Sequence, residues 1–263
     1  MKNFDNNKKQ TRSFVNARGL QQPVLDLPFD NATWTPFQEE YCAAGKINAI
    51  IRIDKKKLLV KYFDRTATIL RPEEIDFANR FRNKKAKENY ICSKLATRII
   101  LGAYLKSDPF SIRFKRNRWG KPALLDYDLH FSVSHSSKWL IVGISPVQKI
   151  GVDLEQYILA FDYSSLVDSY FHSAEKEVLM STYSWAQKSF FKLWTRKEAL
   201  AKVIGLGLHE KLLATNMLDS STMYNEKKLR SFFVIHSFLV DNQHVGALAL
   251  RNDVNAPIFY NFL

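Results

Sequence analysis

Cysteine is scarce: Cys42 and Cys92 are the two in 263 residues, with no CxxC and no Cys/His spacing suited to zinc. That excludes a disulfide framework and sets the expectation of a reducing, cytoplasmic setting. No apolar run approaches the ~20 residues of a membrane helix, so no membrane partner is expected. The opening MKNFDNNKKQ lacks the apolar stretch of a secretory signal, and export is not expected. There is no GxSxG elbow for a serine hydrolase. GLGL at Gly205–Leu208 follows a helical pattern instead of preceding one, so it is no phosphate loop. Acid is also short: 26 Asp and Glu against 39 Lys and Arg leave a net +13. Such a charge calls for an anionic partner, whether nucleic acid, a phosphorylated small molecule or an acidic protein.

What is present is globular. Hydrophobic residues make up 46% of the chain, with 19 Phe and 11 Tyr, enough to bury one large core or two smaller ones. The excess charge is clustered. Arg80–Arg98 carries seven Lys or Arg against Glu88 alone, and Arg113–Lys121 carries five with no acid. A solvated basic face accounts for such stretches as readily as a binding surface does.

Residues 1–44 read as a polar extension broken by Pro23, Pro28 and Pro36, with Trp34 and Phe37 available for packing. Residues 45–149 and 150–263 then read as two α+β halves. Ile47–Ile53 and Leu58–Tyr62 look like strands of a hairpin around DKKK. Pro72 starts a helix with Glu73 and Glu74 in its first turn, and a second helix runs over Lys87–Leu105. HFSVSHS, WLIVGIS and KIGVDLE are strands. Ser173 is the expected N-cap of a short helix over Ser173–Met180. Ser231–Leu239, Val245–Leu250 and Pro257–Phe262 supply late strands. LRPEE at Leu70–Glu74 echoes FHSAE at Phe171–Glu175, and the helices that follow each echo one another. Two similar halves about a pseudo-twofold would explain this, with a site at their seam.

The longest amphipathic pattern spans Ser184–Ile204. Phe190, Leu193, Trp194, Ala201 and Ile204 fall within one arc of a 3.6-residue wheel. Glu198 and Lys202 stand four apart on its shoulder, where an ordinary i,i+4 ion pair is the plain reading. Lys197 falls inside the apolar arc, a placement that asks for a partner, a metal or a substrate. Asp153 and Glu155 in IGVDLEQ share one strand face, while Ile150, Val152 and Leu154 take the other. A water-facing edge explains that alternation. So does a hard-cation site in which Glu198 is the third carboxylate around Mg²⁺. His135 in SVSHSS is either a turn histidine among locally bonded serines or a phosphate ligand beside Ser134.

In chain order, GKP at Gly120–Pro122, FSVSHS at Phe131–Ser136, GVDLE at Gly151–Glu155 and FKLWTRKEALAK at Phe191–Lys202 resemble the Sfp-type 4′-phosphopantetheinyl transferases. The resemblance covers about Ile47 to Leu208. It implies an α+β fold of two similar halves related by a pseudo-twofold. It also implies transfer of the phosphopantetheine arm of coenzyme A to a serine of an acidic apo carrier protein, a holo-[acyl-carrier-protein] synthase activity releasing 3′,5′-ADP. By that similarity Asp153, Glu155 and Glu198 hold Mg²⁺, and Glu198 also serves as base for the acceptor serine. Lys202 lies at the pyrophosphate, and Lys121, Ser134 and His135 contact coenzyme A. This chain has Ser132 where the family often has Asn. It has Asn89 where an arginine usually helps hold the nucleotide phosphate, with Lys87 or Lys94 as replacements. A monomer is expected. The rival readings are a basic nucleic-acid-binding module, disfavoured because Lys84–Lys94 offers only Tyr90 for base stacking, and a metal-dependent phosphodiesterase using the same carboxylates.

Overall fold

The computed structural model describes residues 32–39, 47–180, 186–207, 215–219, 221–226, 229–251 and 257–263. Its elements in chain order are β1 (Trp34–Pro36), β2 (Ala49–Asp54), α1 (Lys55–Tyr62), α2 (Thr66–Ile69), α3 (Pro72–Asn79), α4 (Lys84–Leu105), β3 (Phe114–Arg116), β4 (Pro122–Leu124), β5 (His130–Ser136), β6 (Trp139–Ser145) and β7 (Ile150–Gln156). There follow α5 (Ser164–Tyr170), α6 (Ser173–Leu179), α7 (Ala186–Ile204), β8 (Ser221–Glu226), β9 (Leu229–Asp241), β10 (His244–Arg251) and β11 (Ile258–Phe262).

Two sheets carry the two α+β halves. One has the order β1-β11-β2-β6-β5 and the other β7-β10-β9-β8, with β3-β4 as a small separate ribbon. The C-terminal β11 crosses back to pair in parallel with β2 and β1. Trp34 packs edge-on to Phe259 there, and Phe37 to Tyr260. The remainder of the expected extension, residues 1–31 and 40–44, lies outside the described residues. Each half has its own core: Ile51, Leu95, Ile100 and Val142 in the first, Phe190, Leu193, Leu200 and Ile235 in the second. A third cluster, including Ile50, Ile141, Val152 and Leu248, lies between the sheets. Strand alternation makes this possible, since Ile50 and Ile51 point to opposite faces.

Leu58–Tyr62 is not the expected strand. Asp54 ends β2 and caps a helix, its carboxylate accepting from Lys56 N at 2.9 Å and Lys57 N at 3.1 Å. An aspartate that satisfies two of the first orphan amides starts a helix where a turn was read. The N-cap of α6 also moves by one residue. His172 Nδ1 accepts from Ala174 N at 3.2 Å, and Ser173 is the first helical residue.

The internal echo is physical. Glu74 returns to Arg71 N at 3.2 Å, and Glu175 to His172 N at 2.8 Å, so both close a helix start from the third helical position. Each glutamate is buried and pairs with a cation of the long helix that follows. Glu74 takes Arg98 at 2.7 Å and Lys94 at 3.1 Å, and Glu175 takes Lys197 at 2.8 Å. The same device appears once per half, as a pseudo-twofold requires. The lysine that sat oddly in the apolar arc therefore has a structural partner.

Candidate active site at the seam

The halves meet where β5 lies beside β7, and serine hydroxyls replace ladder bonds between them. Ser132 Oγ accepts from Val152 N and Ser136 Oγ from Gln156 N, each at 3.1 Å. Ser134 Oγ donates to Asp153 Oδ1 at 2.8 Å. Alternation thus turns Ser132, Ser134 and Ser136 toward β7 and leaves His135 on the opposite face of β5. The serines bond across the seam and not locally.

Helix α7 lies on β7 because Gly151 has no side chain. A Cβ there would stand 2.1 Å from Ala199 O and 2.5 Å from Val203 N. This close approach brings Lys202 Nζ to 2.8 Å from Asp153 Oδ1 and 3.4 Å from Val133 O. Asp153 Oδ2 is buried with no hydrogen-bond partner. Burial, then the Asp153 charge, pushes Glu155 up to about 7, with Glu198 adding to the effect. Burial, then Asp153, likewise pushes Glu198 up to about 7. The three carboxylates sense one another, and Lys202 offsets part of that repulsion. Among the described residues no three Asp, Glu, His or Cys side chains are gathered into a finished ligand cage. The donor set nonetheless suits a hard cation: an orphaned carboxylate oxygen beside two carboxylates that lack sufficient positive charge.

Lys121 is placed by the turn before β4. Its Nζ donates to Ile150 O at 3.1 Å and to the Lys202 carbonyl. Asn117 Nδ2 donates to Gly205 O at 2.8 Å, so this turn satisfies the carbonyl end of α7. Burial, then Lys149 and Lys202, brings Lys121 down to about 8. A cavity of about 320 Å³ opens here, lined by Lys121, Ser132, Val133, Glu198 and Lys202 among others. His135 is exposed to solvent. Protein mass around the ring, then Lys55, then Lys202, holds its pKa below the usual imidazole range.

Asp153, Glu155, Glu198, Lys202, Ser134 and Lys121 therefore converge, while His135 stands across the strand. Of the two lysines considered as substitutes at Asn89, Lys94 is held by Glu74. Lys87 is two positions from Asn89 on the same helix and so faces away from it. The residue that reaches Asn89 is Lys55, whose Nζ donates to Asn89 Oδ1 at 2.8 Å. It was missed because it opens a run of three lysines read as a turn.

Two α+β halves with a carboxylate–lysine centre at their seam form the frame of a phosphopantetheinyl transferase. Residues 149–260 match the family described as the 4′-phosphopantetheinyl transferase superfamily, and residues 57–146 match the 4′-phosphopantetheinyl transferase N-terminal family. The chain is 34% identical over 201 residues to the 4′-phosphopantetheinyl transferase HetI of Nostoc sp., covering 74% of this chain and 84% of that protein. It is 35% identical over 131 residues to the transferase gsp of Aneurinibacillus migulanus, covering 49% and 54%. It is 28% identical over 148 residues to the transferase Sfp of Bacillus subtilis, covering 55% and 64%. The chain belongs to the 4′-phosphopantetheinyl transferase superfamily and is of its Sfp type. Among the described residues no helix is long and apolar enough to cross a membrane.

Proposed function

We propose that this protein transfers the 4′-phosphopantetheine arm of coenzyme A to a serine of an acidic apo carrier protein, releasing 3′,5′-ADP in a Mg²⁺-dependent reaction. The observation that carries the reading is Asp153. One of its oxygens is shared by Lys202 and Ser134, and the other is buried, unpartnered and beside Glu155 and Glu198. Asp153, Glu155 and Glu198 would hold Mg²⁺, which when bound supplies neutralisation of pyrophosphate charge.

In the reaction the serine oxygen forms a bond to the phosphorus next to pantetheine, and the bond from that phosphorus to the 3′,5′-ADP oxygen breaks. Glu198, the carboxylate that lines the cavity beside Lys202, takes the serine proton. Lys202 stabilises the charge that grows on the departing oxygen. Lys121, Ser134 and His135 position coenzyme A. No covalent intermediate on the protein is required. Purified protein, coenzyme A, Mg²⁺ and a panel of apo carriers, read by intact mass, should show phosphopantetheine gain matched by 3′,5′-ADP. Nucleotide release without any carrier would indicate a phosphodiesterase instead.

A further inference from the structure

The β9–β10 hairpin of the second half is held by side chains of the first. Its ladder shifts register between His244 and Val245: Asp241 pairs with His244 and Leu239 with Val245, which leaves Val240 without a ladder partner. Arg52 of β2 takes that residue, its guanidinium donating to Val240 O. The same guanidinium lies 4.4 Å from the ring centre of Trp34 and 5.1 Å from that of Trp139. Trp139 of β6 then donates through Nε1 to Asp241 Oδ2 at 2.6 Å. Burial opposes ionisation of Asp241, but hydrogen bonds from Trp139, His244 and Gln243 outweigh it and hold its pKa below the usual carboxylate range. Asp241 Oδ1 is 2.8 Å from His244 Nδ1, and a carboxylate can only accept, so the histidine proton is on Nδ1. His244 is 2% exposed, and its Nε2 has no hydrogen-bond partner among the described residues. A buried polar atom left unpaired costs stability, which points to a use for this ring other than holding the core together.

These contacts close a ring around one end of the seam. Trp139 pairs with Ser136 across β5 and β6, and Ser136 Oγ accepts from Gln156 N at 3.1 Å. Gln156 in turn pairs with His244 across β7 and β10, and Glu155 pairs with Val245 beside it. The circuit runs from Trp139 through Ser136, Gln156, His244 and Asp241 back to Trp139. Two of its links, Ser136 to Gln156 and Trp139 to Asp241, cross from one sheet to the other. Glu155 is the neighbour of Gln156, and its Oε2 accepts from Ser136 Oγ at 3.4 Å. Asp153 lies mid-strand and Glu198 lies on α7, whereas Glu155 is one residue from the end of β7. It is the carboxylate of the three that most needs outside support.

We propose that Trp139 and Asp241, with Arg52 and His244, are positioning residues for the transfer reaction. They fasten the β9–β10 hairpin onto β6 and so keep Glu155 in register with Ser136, beside Asp153 and Glu198. This rests on the transferase reading above. None of the four is assigned a contact with coenzyme A or Mg²⁺; they act through Glu155.

The test is Mn²⁺ binding to the full chain in the presence of coenzyme A, with free ion read by electron paramagnetic resonance. Trp139→Phe keeps a ring beside Arg52 and removes the N–H. It should weaken Mn²⁺ binding about 10-fold, the order expected when partners that orient metal ligands are lost. The Mg²⁺ needed for half-maximal carrier modification should rise by the same factor, and excess Mg²⁺ should restore most of the turnover. Asp241→Ala removes the acceptor instead, and should give the same shift if Trp139→Phe fails to fold. Because the effect passes through Glu155, Trp139→Phe in the Glu155→Gln background should weaken Mn²⁺ by less than about twofold more. Unchanged Mn²⁺ binding in Trp139→Phe and Asp241→Ala overturns the proposal. So does a second loss of about 10-fold on top of Glu155→Gln, which would mean a general loosening of the fold. If wild-type protein binds Mn²⁺ and modifies carriers while both variants bind as well, only the positioning role falls. If wild-type protein neither binds Mn²⁺ nor modifies any carrier, the transferase reading falls with it.

Discussion

Lys202 Nζ lies 2.8 Å from Asp153 Oδ1, tying the last turns of α7 to the middle of β7. The contact lets one lysine hold a carboxylate and, in the proposed reaction, face the pyrophosphate. Replacing Asp153 by Asn keeps the shape and removes the charge, and carrier modification should fall about 100-fold or more. Lys202→Met should lower kcat by a similar order, because the charge it meets grows in the transition state. His135→Ala should instead raise KM for coenzyme A, as a contact common to ground and transition states. Steady-state kinetics on carrier modification separates these, and identical patterns for Lys202→Met and His135→Ala would contradict the assigned roles.

The carboxylates also set a pH signature. Glu155 and Glu198 have folded pKa values near 7 against an ordinary 4.5. Below 4.5 both states hold these protons. Between 4.5 and 7 the unfolded chain releases them while the folded protein keeps them, so stability from these groups falls as pH rises through that window. Metal-free Tm should decline from about pH 5 to about pH 7.5, and Mg²⁺ should raise Tm more at the higher value. A Mg²⁺ effect that is equal at both pH values would argue against these two ligands.

Gly151→Ala tests how α7 is seated. Its added Cβ meets backbone atoms of Ala199 and Val203, which cannot rotate away as a side chain would. The helix must lift from β7, at a cost of about 1–3 kcal/mol or more. Urea unfolding should show the loss. Activity should drop further than stability alone explains, because Lys202 moves away from Asp153.

The parts legible in the sequence were those with a period. The amphipathic arc of α7 and the alternation of IGVDLEQ fixed which residues face the core, and the structure keeps both. Lys197 announced a partner by its place in the arc, but not which one. Glu175 lies in another helix, and nothing local specifies the pairing. The seam serines were equally hidden, since Ser132 and Ser136 bond to backbone amides about 20 residues away. Leu58–Tyr62 failed because five residues carry too little period to tell strand from helix. The deciding signal was the Asp54 cap upstream.

That buried pair yields its own prediction. Lys197 and Glu175 are both fully buried, at 2.8 Å. Lys197→Met leaves a buried carboxylate without its cation and should cost about 3–5 kcal/mol in urea unfolding. Adding Glu175→Gln removes that charge while retaining an acceptor for the capping contacts, and should return much of the loss. A single substitution as stable as wild type would mean the pair is not charged in the folded protein.

The net charge of +13 exceeds what coenzyme A needs, since its few phosphates can be met by residues near the seam. Arg82, Lys84, Lys85, Lys115, Arg116 and Arg118 are exposed, and further lysines and arginines lie within residues 1–20. Exposed charges act chiefly on encounter with an oppositely charged partner, and their reach is screened beyond ~8 Å at physiological salt. An acidic carrier should therefore feel salt more than coenzyme A does. kcat/KM for the carrier should fall steeply from low to moderate ionic strength, while KM for coenzyme A changes less. Deleting residues 1–20 should preserve turnover and at most flatten the salt dependence. Both constants measured at several ionic strengths decide the matter. A carrier KM indifferent to salt would assign the basic surface to another anion, with nucleic acid the first to titrate.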